Sequence, residues 1–337
     1  IVNNTGIARQ VYINNGGGFA SPNISKASFH AINPADPNYI IVSHKLLRVP
    51  ASGTNDPVSA YAAYRASSNG GDFDTLTINI DELYYQFSYG ETSPLAIYNF
   101  MAYLVDNGGP EYLFLIGKGL SPDWNFYRNI NGFFTVTKSE IGRTFEVRDL
   151  VPSAGTPASD ITFTAGLGGS QSEPAVPVGR LPAKSSDEVL AYLNKVIETE
   201  SRPFDNLNRK QLLHLSGGLR ESELPIFRSY VDGFAEVAVS DFLGGDVTTI
   251  EKQLSGPIEL INVADEVNQG LGQITFYGHS APNVTDIDIG FVSDPTLGYN
   301  NPGRYPAILV NGCNAGEFFQ ANVLFGEDWI LAENKGA

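Results

Sequence analysis

Two residues in the C-terminal part of the chain have the types that nucleophilic catalysis requires, and each follows an apolar run. Cys313, the single cysteine among 337 residues, follows "YPAILVNG", and His279 follows "QITFYG". A cysteine becomes a nucleophile when an adjacent imidazole takes its proton, so a thiol and a histidine at neighbouring strand ends would form a catalytic dyad. Gly278 and Gly312 permit tight turns directly before them, and backbone N–H groups there could stabilise an oxyanion. The residues alone leave a second interpretation open, namely a buried structural cysteine and a loop histidine with one hydrogen bond.

The segments around these residues alternate between strand-like and helix-like patterns. The predicted strands are "PNYIIVSH", "DTLTINI", "EYLFLIG", "AVPVGRLPA", "KQLLHLSGG", "DVTTIEK", "QITFYGH" and "YPAILVNGC". The clearest helix is "SSDEVLAYLNKVIETE", in which Ser185 and Glu188 have the spacing of a capping box. This alternation predicts an α/β fold with mainly parallel sheets covered by helices on both faces. In such sheets, functional residues collect at the carboxyl ends of the strands.

The composition shifts along the chain and divides it into three parts. Residues 1–35, rich in Gly, Asn, Ser and Pro, are predicted to be the tail of a preceding β-rich region and a linker. Residues 36–201 and 202–337 are predicted to form an N-terminal and a C-terminal α/β subdomain, separated by a joint rich in Pro and Asn. The second subdomain carries the His/Cys pair. Because the chain stops just after a helix-like stretch, we expect this subdomain to be truncated at its end and other domains of a longer chain to flank it.

Composition and charge argue against several function classes. The net charge of −16, with a pI of about 4.6, has the wrong sign for a general nucleic-acid binder. There is no run of about 18 apolar residues that could span a membrane, and a single cysteine excludes an internal disulfide framework. No cluster of His, Cys, Asp or Glu has the spacing of a zinc site. A nucleotide-binding α/β domain is a weaker alternative, because the segment after "GLGGS" (166–170) is not helical and fails the phosphate-loop pattern.

An ordered set of motifs carries a resemblance to a known family. The motifs are "LYYQFSYGETSPLAIYNFMAYL", "PEYLFLIGKG", "SD" at 159–160, "VPVGRLPAKSSDEVLAYLNKVIETE", "YGHS" after an apolar strand, and a strand that ends in "CNAGEF". The set extends over about residues 38–337 and resembles the gingipain-type cysteine peptidases, which share the caspase-like fold. That family includes the surface sortase of the type IX secretion route.

The resemblance implies a role for each matching residue. Cys313 is expected to be the nucleophile, and His279 the general base and acid that activates the thiol and protonates the leaving amine. The backbone N–H groups of Ser280 and Cys313 are expected to form the oxyanion hole. The implied function is a cysteine endopeptidase that acts on protein or peptide substrates outside a bacterial cell or on its surface. Processing of exported proteins is one form of that function.

The resemblance requires no cofactor but is compatible with structural calcium, which the gingipains bind. The acidic motifs "RESE" (220–223) and "DIDIG" (286–290) contain candidate oxygen ligands. The alternative is that both are solvated acidic loops, because a calcium site needs six or more oxygens that converge from several segments.

Three positions depart from the family pattern. Ser280 stands where the family usually has Gly, and Lys118 where it has Asp. Ser216 aligns with the acid that orients the histidine, so this acid is absent or comes from elsewhere, and Glu221 and Glu223 are close in sequence. These changes favour either a distinct peptidase or a catalytically inactive gingipain-fold module with a binding or structural role in a cell-surface assembly.

Overall fold

Two parallel β-sheets, one after the other along the chain, organise the protein. The computed structural model describes residues 26–27, 29–120, 135–137, 146–155, 157–317, 319–320 and 323–337. Its strands are β1 (Tyr39–Ser43), β2 (Thr75–Asn79), β3 (Tyr112–Ile116), β4 (Thr135–Thr137), β5 (Glu146–Arg148), β6 (Val178–Leu181), β7 (Gln211–Ser216), β8 (Asp246–Glu251), β9 (Glu259–Leu260), β10 (Gln273–Tyr277), β11 (Ser280–Ala281), β12 (Val284–Thr285), β13 (Ile287–Asp288) and β14 (Ala307–Asn311). Its α-helices are α1 (Pro57–Arg65), α2 (Ile80–Phe87), α3 (Leu95–Asn107), α4 (Ser186–Glu200), α5 (Leu224–Ala238), α6 (Ala264–Gln269) and α7 (Phe325–Leu331).

The first sheet has the strand order β2-β1-β3-β6, and all its strands are parallel. One face packs against α2 and α3, where Ile97, Phe100 and Leu104 are buried. The other face packs against α1 and α4, around Tyr61 and Leu193. The central strands therefore lie between two apolar layers, which explains why their sequences are continuous apolar runs.

The second sheet has the strand order β14-β10-β7-β8, again with all strands parallel. On one face, Val267 of α6 and the aromatic residues Phe325 and Trp329 of α7 pack against Leu215 and Phe276. α5 packs against β7 and β8 from the opposite face. Because α7 also contacts α4, it joins the second half of the molecule to the first.

Capping side chains set the starts of two helices in the first half. Ser185 accepts a hydrogen bond from the N–H of Glu188 (3.2 Å), and the Glu188 carboxylate accepts one from the N–H of Lys184 (2.5 Å). At α1, Asp56 accepts from the N–H of Ser59 (3.0 Å). These side chains satisfy backbone donors that have no partner inside the helix, so α4 begins where the capping box predicts.

The predicted fold class is confirmed, since both sheets are parallel and flanked by helices. One helix escapes the sequence pattern. The alternation in "DTLTINI" predicts a strand through Ile80, whereas β2 ends at Asn79 and α2 follows without a connecting turn. Asp81 and Glu82 lie in the first turn of α2, where negative charge is favourable next to the positive end of the helix dipole.

The predicted domain boundaries stay predictions. The joint between residues 201 and 202 lies after α4, which ends at Glu200, and before β7. Most of the predicted tail, residues 1–35, lies outside the described residues. In the described part of the chain, no helix combines the length and the apolar character that crossing a membrane requires.

Candidate active site

Neighbouring strands end together at one edge of the second sheet. β10 and β14 are parallel and in register, with Tyr277 paired to Asn311. The N–H of Gly278 donates to the carbonyl of Asn311 (3.1 Å), so the pairing continues one residue past β10. His279 follows one strand end and Cys313 follows the other. The structure therefore brings His279 and Cys313 to the same edge of the sheet.

Glycine is required at both strand ends because side chains approach the backbone closely there. A Cβ at Gly278 would lie 2.5 Å from Oδ1 of Asp286. A Cβ at Gly312 would overlap Oγ of Ser280. Both neighbours belong to the segment after His279, so the two glycines allow that segment to fold back onto the strand ends.

The imidazole of His279 contacts an acid and an aromatic ring. Its Nε2 lies 3.3 Å from Oε2 of Glu223, the residue directly before α5. Its ring centroid lies 5.5 Å from that of Phe227. Oε2 of Glu223 also accepts hydrogen bonds from the N–H groups of Leu219 (2.9 Å) and Arg220 (3.2 Å). With Nε2 directed at the acid, Nδ1 is the ring nitrogen that can exchange a proton with a thiol.

Glu223 is the acid that the sequence could not assign. The backbone N–H of Leu219 lowers the pKa of the Glu223 carboxyl below its ordinary value, and hydrogen bonds from Arg220 and His279 act in the same direction. An ionised carboxylate in this place can orient an imidazole and stabilise the charge that it gains when it acts as a base. Ser216, which aligns with the family's orienting acid, is instead buried at the end of β7.

A side-chain hydrogen bond ties the two strand ends together. Oγ of Ser280 donates to the carbonyl of Cys313 (2.7 Å). Ser280 pairs with Thr285 in the antiparallel ladder of β11 and β12, and the N–H of Asp286 donates to the carbonyl of His279 (2.8 Å) next to that pair. Because bonded and non-bonded pairs alternate in antiparallel ladders, the N–H of Ser280 points away from this ladder.

Cys313 is exposed to solvent at the start of a tight turn. Asn314 has a φ of 57°, a left-handed conformation that asparagine adopts more readily than most residues. The N–H of Glu317 donates to the carbonyl of Asn314 (3.0 Å) within the turn. The exposure of Cys313 excludes the buried structural cysteine and suits a reactive thiol. Among the described residues, no hydrogen bond joins the Cys313 thiol to the imidazole of His279.

Asp286 is a further part of this site, and the sequence did not place it there. It is 3% exposed, and its carboxylate accepts hydrogen bonds from the N–H groups of Gly218 (2.7 Å) and Ile287 (2.9 Å). Its own N–H donates a hydrogen bond to the carbonyl of His279. Asp286 therefore connects the turn at His279 to the loop that leads to Glu223. The sequence offered only an acid in "DIDIG", a motif that had been considered for calcium.

The acids of the two candidate calcium motifs bind other groups of the protein in this structure. In "DIDIG", the Asp286 carboxylate accepts hydrogen bonds from backbone N–H groups, and Oδ1 of Asp288 accepts one from the N–H of Gly290 (3.3 Å). In "RESE", Glu223 faces the histidine. Over the described ranges of the chain, no three or more His, Cys, Asp or Glu side chains are grouped so as to hold a metal ion. Calcium takes six to eight oxygens, which include backbone carbonyls, so structural calcium stays a prediction.

Lys118 lies at the carboxyl end of β3, in the first sheet, and takes no part in the edge described above. It is fully buried and forms an ion pair with Glu327 in the first turn of α7. Burial lowers the pKa of Lys118 to about 8 and raises the pKa of Glu327, because both groups lose hydration. This departure from the family pattern therefore belongs to a contact between the two halves of the molecule.

Comparisons with solved structures find proteins of similar fold. The gingipain R crystal structure, described as an Arg-specific cysteine proteinase, is 16% identical over 92% of this chain and 62% of its own, with a TM-score of 0.64. The complex of the pro- and mature domains of RgpB from Porphyromonas gingivalis gives 16% identity, 89% and 62% coverage and a TM-score of 0.64. A structure described as a protease gives 17% identity, 91% and 58% coverage and a TM-score of 0.62. These similarities show the fold, and the chain spans less than two thirds of the length of each of these relatives.

A search of curated proteins finds no match. The model of peptidase family C25 matches residues 32–337, which is most of the chain. The match confirms the resemblance that the ordered motifs indicate. The protein belongs to peptidase family C25.

Proposed function

We propose that this protein is a cysteine endopeptidase in which Cys313 is the nucleophile and His279 the general base and acid. The observation that carries the proposal is the parallel register of β10 and β14, which ends both strands at one edge and places the two residues there. Two further contacts support it. The Ser280 hydroxyl ties the strand ends together over 2.7 Å, and Glu223 lies 3.3 Å from the imidazole.

The chemistry has two stages. In the first, His279 takes the proton from the thiol of Cys313, and the sulfur attacks the carbonyl carbon of the scissile peptide bond. The C–N bond breaks as the imidazolium gives its proton to the leaving amine, and the acyl group stays on sulfur as a thioester. In the second, a water molecule that loses its proton to His279 attacks the thioester. The carboxylic acid leaves, and the sulfur regains its proton.

The oxyanion formed at each stage requires hydrogen-bond donors that are fixed in advance. We assign this role to the backbone N–H groups of Ser280 and Cys313. The orientation of the Ser280 N–H away from the β11–β12 ladder supports the assignment. The Ser280 side chain, which a glycine lacks, fixes the peptide unit after Cys313 by holding its carbonyl.

The proposed substrates are proteins or peptides met outside the cytoplasm, at the surface of a bacterium or in its surroundings. Family membership supports this proposal, and processing of exported proteins in the manner of the type IX secretion sortase is a narrower form of it. The net charge of −16 favours substrates that are not strongly acidic.

Two observations favour a second candidate function. The Cys313 thiol makes no hydrogen bond to the imidazole among the described residues, and Ser280 replaces the usual glycine. Both features would suit a catalytically inactive module that binds another protein in a surface assembly. Apo enzymes often show catalytic contacts that tighten only with substrate, so the reactivity of the thiol is the property that distinguishes the two functions.

The deciding experiment is the pH dependence of Cys313 alkylation by iodoacetamide, in the unmodified chain and in His279→Ala. Because the chain has one cysteine, the rate reports on that thiol alone. A free thiol has a pKa of about 8.5, so its alkylation is about 300-fold slower at pH 6 than at full ionisation. We expect rapid alkylation at pH 6 that His279→Ala abolishes, together with hydrolysis of peptides from a mixed library. Alkylation of a free-thiol type in both proteins would instead support the inactive module.

A further inference from the structure

The chain that carries Cys313 goes on to contact the first half of the molecule. Phe319, which is 4% exposed, follows it, and Glu327 lies beyond in the first turn of α7. Each of these two residues contacts a cation from the first half. Arg180 of β6 contacts the Phe319 ring, and Lys118 pairs with Glu327. Two cations of the first half therefore contact the chain beyond the cysteine, one at the Phe319 ring and one at the Glu327 carboxylate in α7.

The Lys118–Glu327 ion pair is completely withdrawn from solvent, with 0% of either side chain exposed. The backbone of Lys118 is fixed as well, because its N–H donates to the carbonyl of Ala183 (2.8 Å) and its carbonyl accepts from the N–H of Leu150 (2.8 Å). On the other side, Oε2 of Glu327 accepts a hydrogen bond from the N–H of Leu324 (3.3 Å), the residue before α7. The pair thus joins a rigid strand end to the beginning of a helix.

Arg180 presents the second fixed cation, with a side chain that is 1% exposed. Its guanidinium donates twice to Asp160, over 2.6 and 2.8 Å, and also to the carbonyls of Gly117 (2.7 Å) and Val151 (2.8 Å). The cation lies 5.6 Å from the centroid of the Phe319 ring, within the range of a cation–π interaction. Because so many acceptors hold the guanidinium, it is the Phe319 ring that must adapt to it.

Two residues that follow Cys313 lie against a cavity. Ala315 and Gly316 line a space of about 460 Å³, together with Leu324 and Tyr192. Close-packed interiors contain few voids larger than a water molecule, and packing is what normally fixes a segment in place. Among the residues that the structure describes, packing on that side of Ala315 and Gly316 is incomplete. The position of this segment therefore depends more strongly on the contacts at its ends.

A buried ion pair is better suited to fixing the position of a segment than to stabilising the fold. Removing two charges from water costs so much that well-packed apolar side chains of similar volume are often as stable or more so. A charged pair, however, is satisfied in one arrangement only, whereas apolar side chains can shift against one another. The Lys118–Glu327 pair therefore fixes where α7 begins. We refer to residues 312–317 as the Cys313 segment, and the position of α7 restrains the chain that leaves this segment.

We propose that Lys118 and Arg180 are positioning residues, which hold the Cys313 segment from the first half of the molecule by binding Glu327 and Phe319. The inference rests on the proposed function, since it assigns a purpose to the position of the cysteine. Under it, Lys118 is one member of a pair whose other member lies far along the chain. Its difference from the family's Asp is then no sign of lost activity.

The test uses variants that separate positioning from stability. Lys118→Met leaves Glu327 buried without its partner, whereas Lys118→Met/Glu327→Met leaves no unpaired charge and should stay folded. Phe319→Leu removes the aromatic ring alone. Lys45→Met is the matched control, because Lys45 pairs with Asp81 on the exposed surface of the first half. Circular dichroism and thermal melting establish that each variant is folded.

Two readouts follow, hydrogen exchange in a peptide that covers residues 312–317 and the ratio of Cys313 alkylation at pH 6 to that at pH 9. We expect exchange about tenfold faster and a lower alkylation ratio in Lys118→Met/Glu327→Met and Phe319→Leu, with no change in Lys45→Met. A merely stabilising pair predicts normal values for the double variant, because it has no unpaired charge. Normal exchange and alkylation in both folded variants would overturn the proposal.

The outcomes for the two proposals are distinguishable. If the unmodified chain alkylates as a free thiol whether or not His279 is present, the peptidase proposal fails. Faster exchange at residues 312–317 in the same variants would still support the positioning role, because it does not depend on thiol activation. If alkylation depends on His279 but exchange does not depend on Lys118 or Phe319, the peptidase proposal stands and the positioning role is refuted.

Discussion

Asp286→Asn perturbs the site through a buried group that touches neither the thiol nor the imidazole ring. The Asp286 carboxylate accepts two backbone N–H groups, from Gly218 at 2.7 Å and from Ile287 at 2.9 Å. Asparagine keeps one acceptor oxygen and sets an NH2 group against the other donor. An unsatisfied buried donor costs about 1–3 kcal/mol, and a hydrogen bond to a charged group contributes about 1.5–3 kcal/mol. We therefore expect the free energy of unfolding to fall by about 2 kcal/mol. A neutral amide costs less to bury than a carboxylate, and this difference offsets part of the loss.

The same substitution should also disturb the dyad. Asp286 holds Gly218 with its side chain and the carbonyl of His279 with its backbone, so it fixes the distance between the histidine turn and the loop before Glu223. Loosening that connection should lengthen the contact of 3.3 Å between Glu223 and His279. A loss of stability that leaves the protein folded should not by itself change the alkylation rate of Cys313. We therefore expect the disturbed dyad to slow alkylation at pH 6.

Asp288→Asn is the matched control for this experiment. Asp288 lies in the same acidic motif, but its Oδ1 makes only longer contacts, 3.3 Å from the N–H of Gly290 and 3.4 Å from Oγ1 of Thr285. Urea unfolding at pH 7 gives the free energies, and iodoacetamide trapping gives the rates. The reasoning is refuted if Asp286→Asn destabilises the protein no more than Asp288→Asn does, or if it leaves alkylation at pH 6 unchanged.

Three other substitutions probe single contacts. Glu223→Gln removes the negative charge next to His279. We expect slower alkylation of Cys313 at pH 6 and, at pH 9, a rate close to that of the unmodified protein. Equal slowing at pH 6 and pH 9 would argue against an orienting role. Burial lowers the pKa of Lys195 from 10.5 to about 7, so between those values the unfolded chain binds more protons and stability should rise with pH. Lys195→Met should reduce that rise in urea titrations at pH 7 and 10, and an undiminished rise would show that Lys195 does not contribute to it. Gly312→Ala forces a Cβ against the Ser280 hydroxyl and should lower the melting temperature, whereas adding Ser280→Gly should restore part of it, and the absence of any rescue would contradict the clash.

The pair at the sheet edge was predictable because strand ends are among the strongest local signals in an α/β chain. "QITFYG" and "PAILVNG" are apolar runs that stop at glycine, and parallel strands in register must deliver their next residues to one edge. The sequence therefore indicated His279 and Cys313 without knowledge of any loop. The same logic failed at Ile80, because α2 begins directly after β2 and no glycine or proline marks the change from strand to helix.

The remaining parts of the site depend on loops and on contacts between distant segments, which periodicity does not encode. Glu221 and Glu223 looked equivalent, and only the path of the loop before α5 shows which carboxylate reaches His279. Asp286 was predicted to be either a solvated loop acid or a calcium ligand, because an acid in a polar segment carries no sign that backbone N–H groups will enclose it. Lys118 looked like a loss because its partner, Glu327, lies in another half of the molecule.

The departures from the family pattern therefore carry less weight against activity than their number implies. Ser280 has a specific partner in the Cys313 carbonyl, and it crosses the space that glycine leaves at residue 312. Lys118 has a buried partner of opposite charge. Glu223, whose carboxylate accepts two backbone N–H groups, lies next to the imidazole of His279. A decaying site would be expected to leave such groups without partners, because selection no longer maintains both members of a contact. Each replacement here is instead matched by a second residue, and the reactivity of the Cys313 thiol tests whether the proposed active site works.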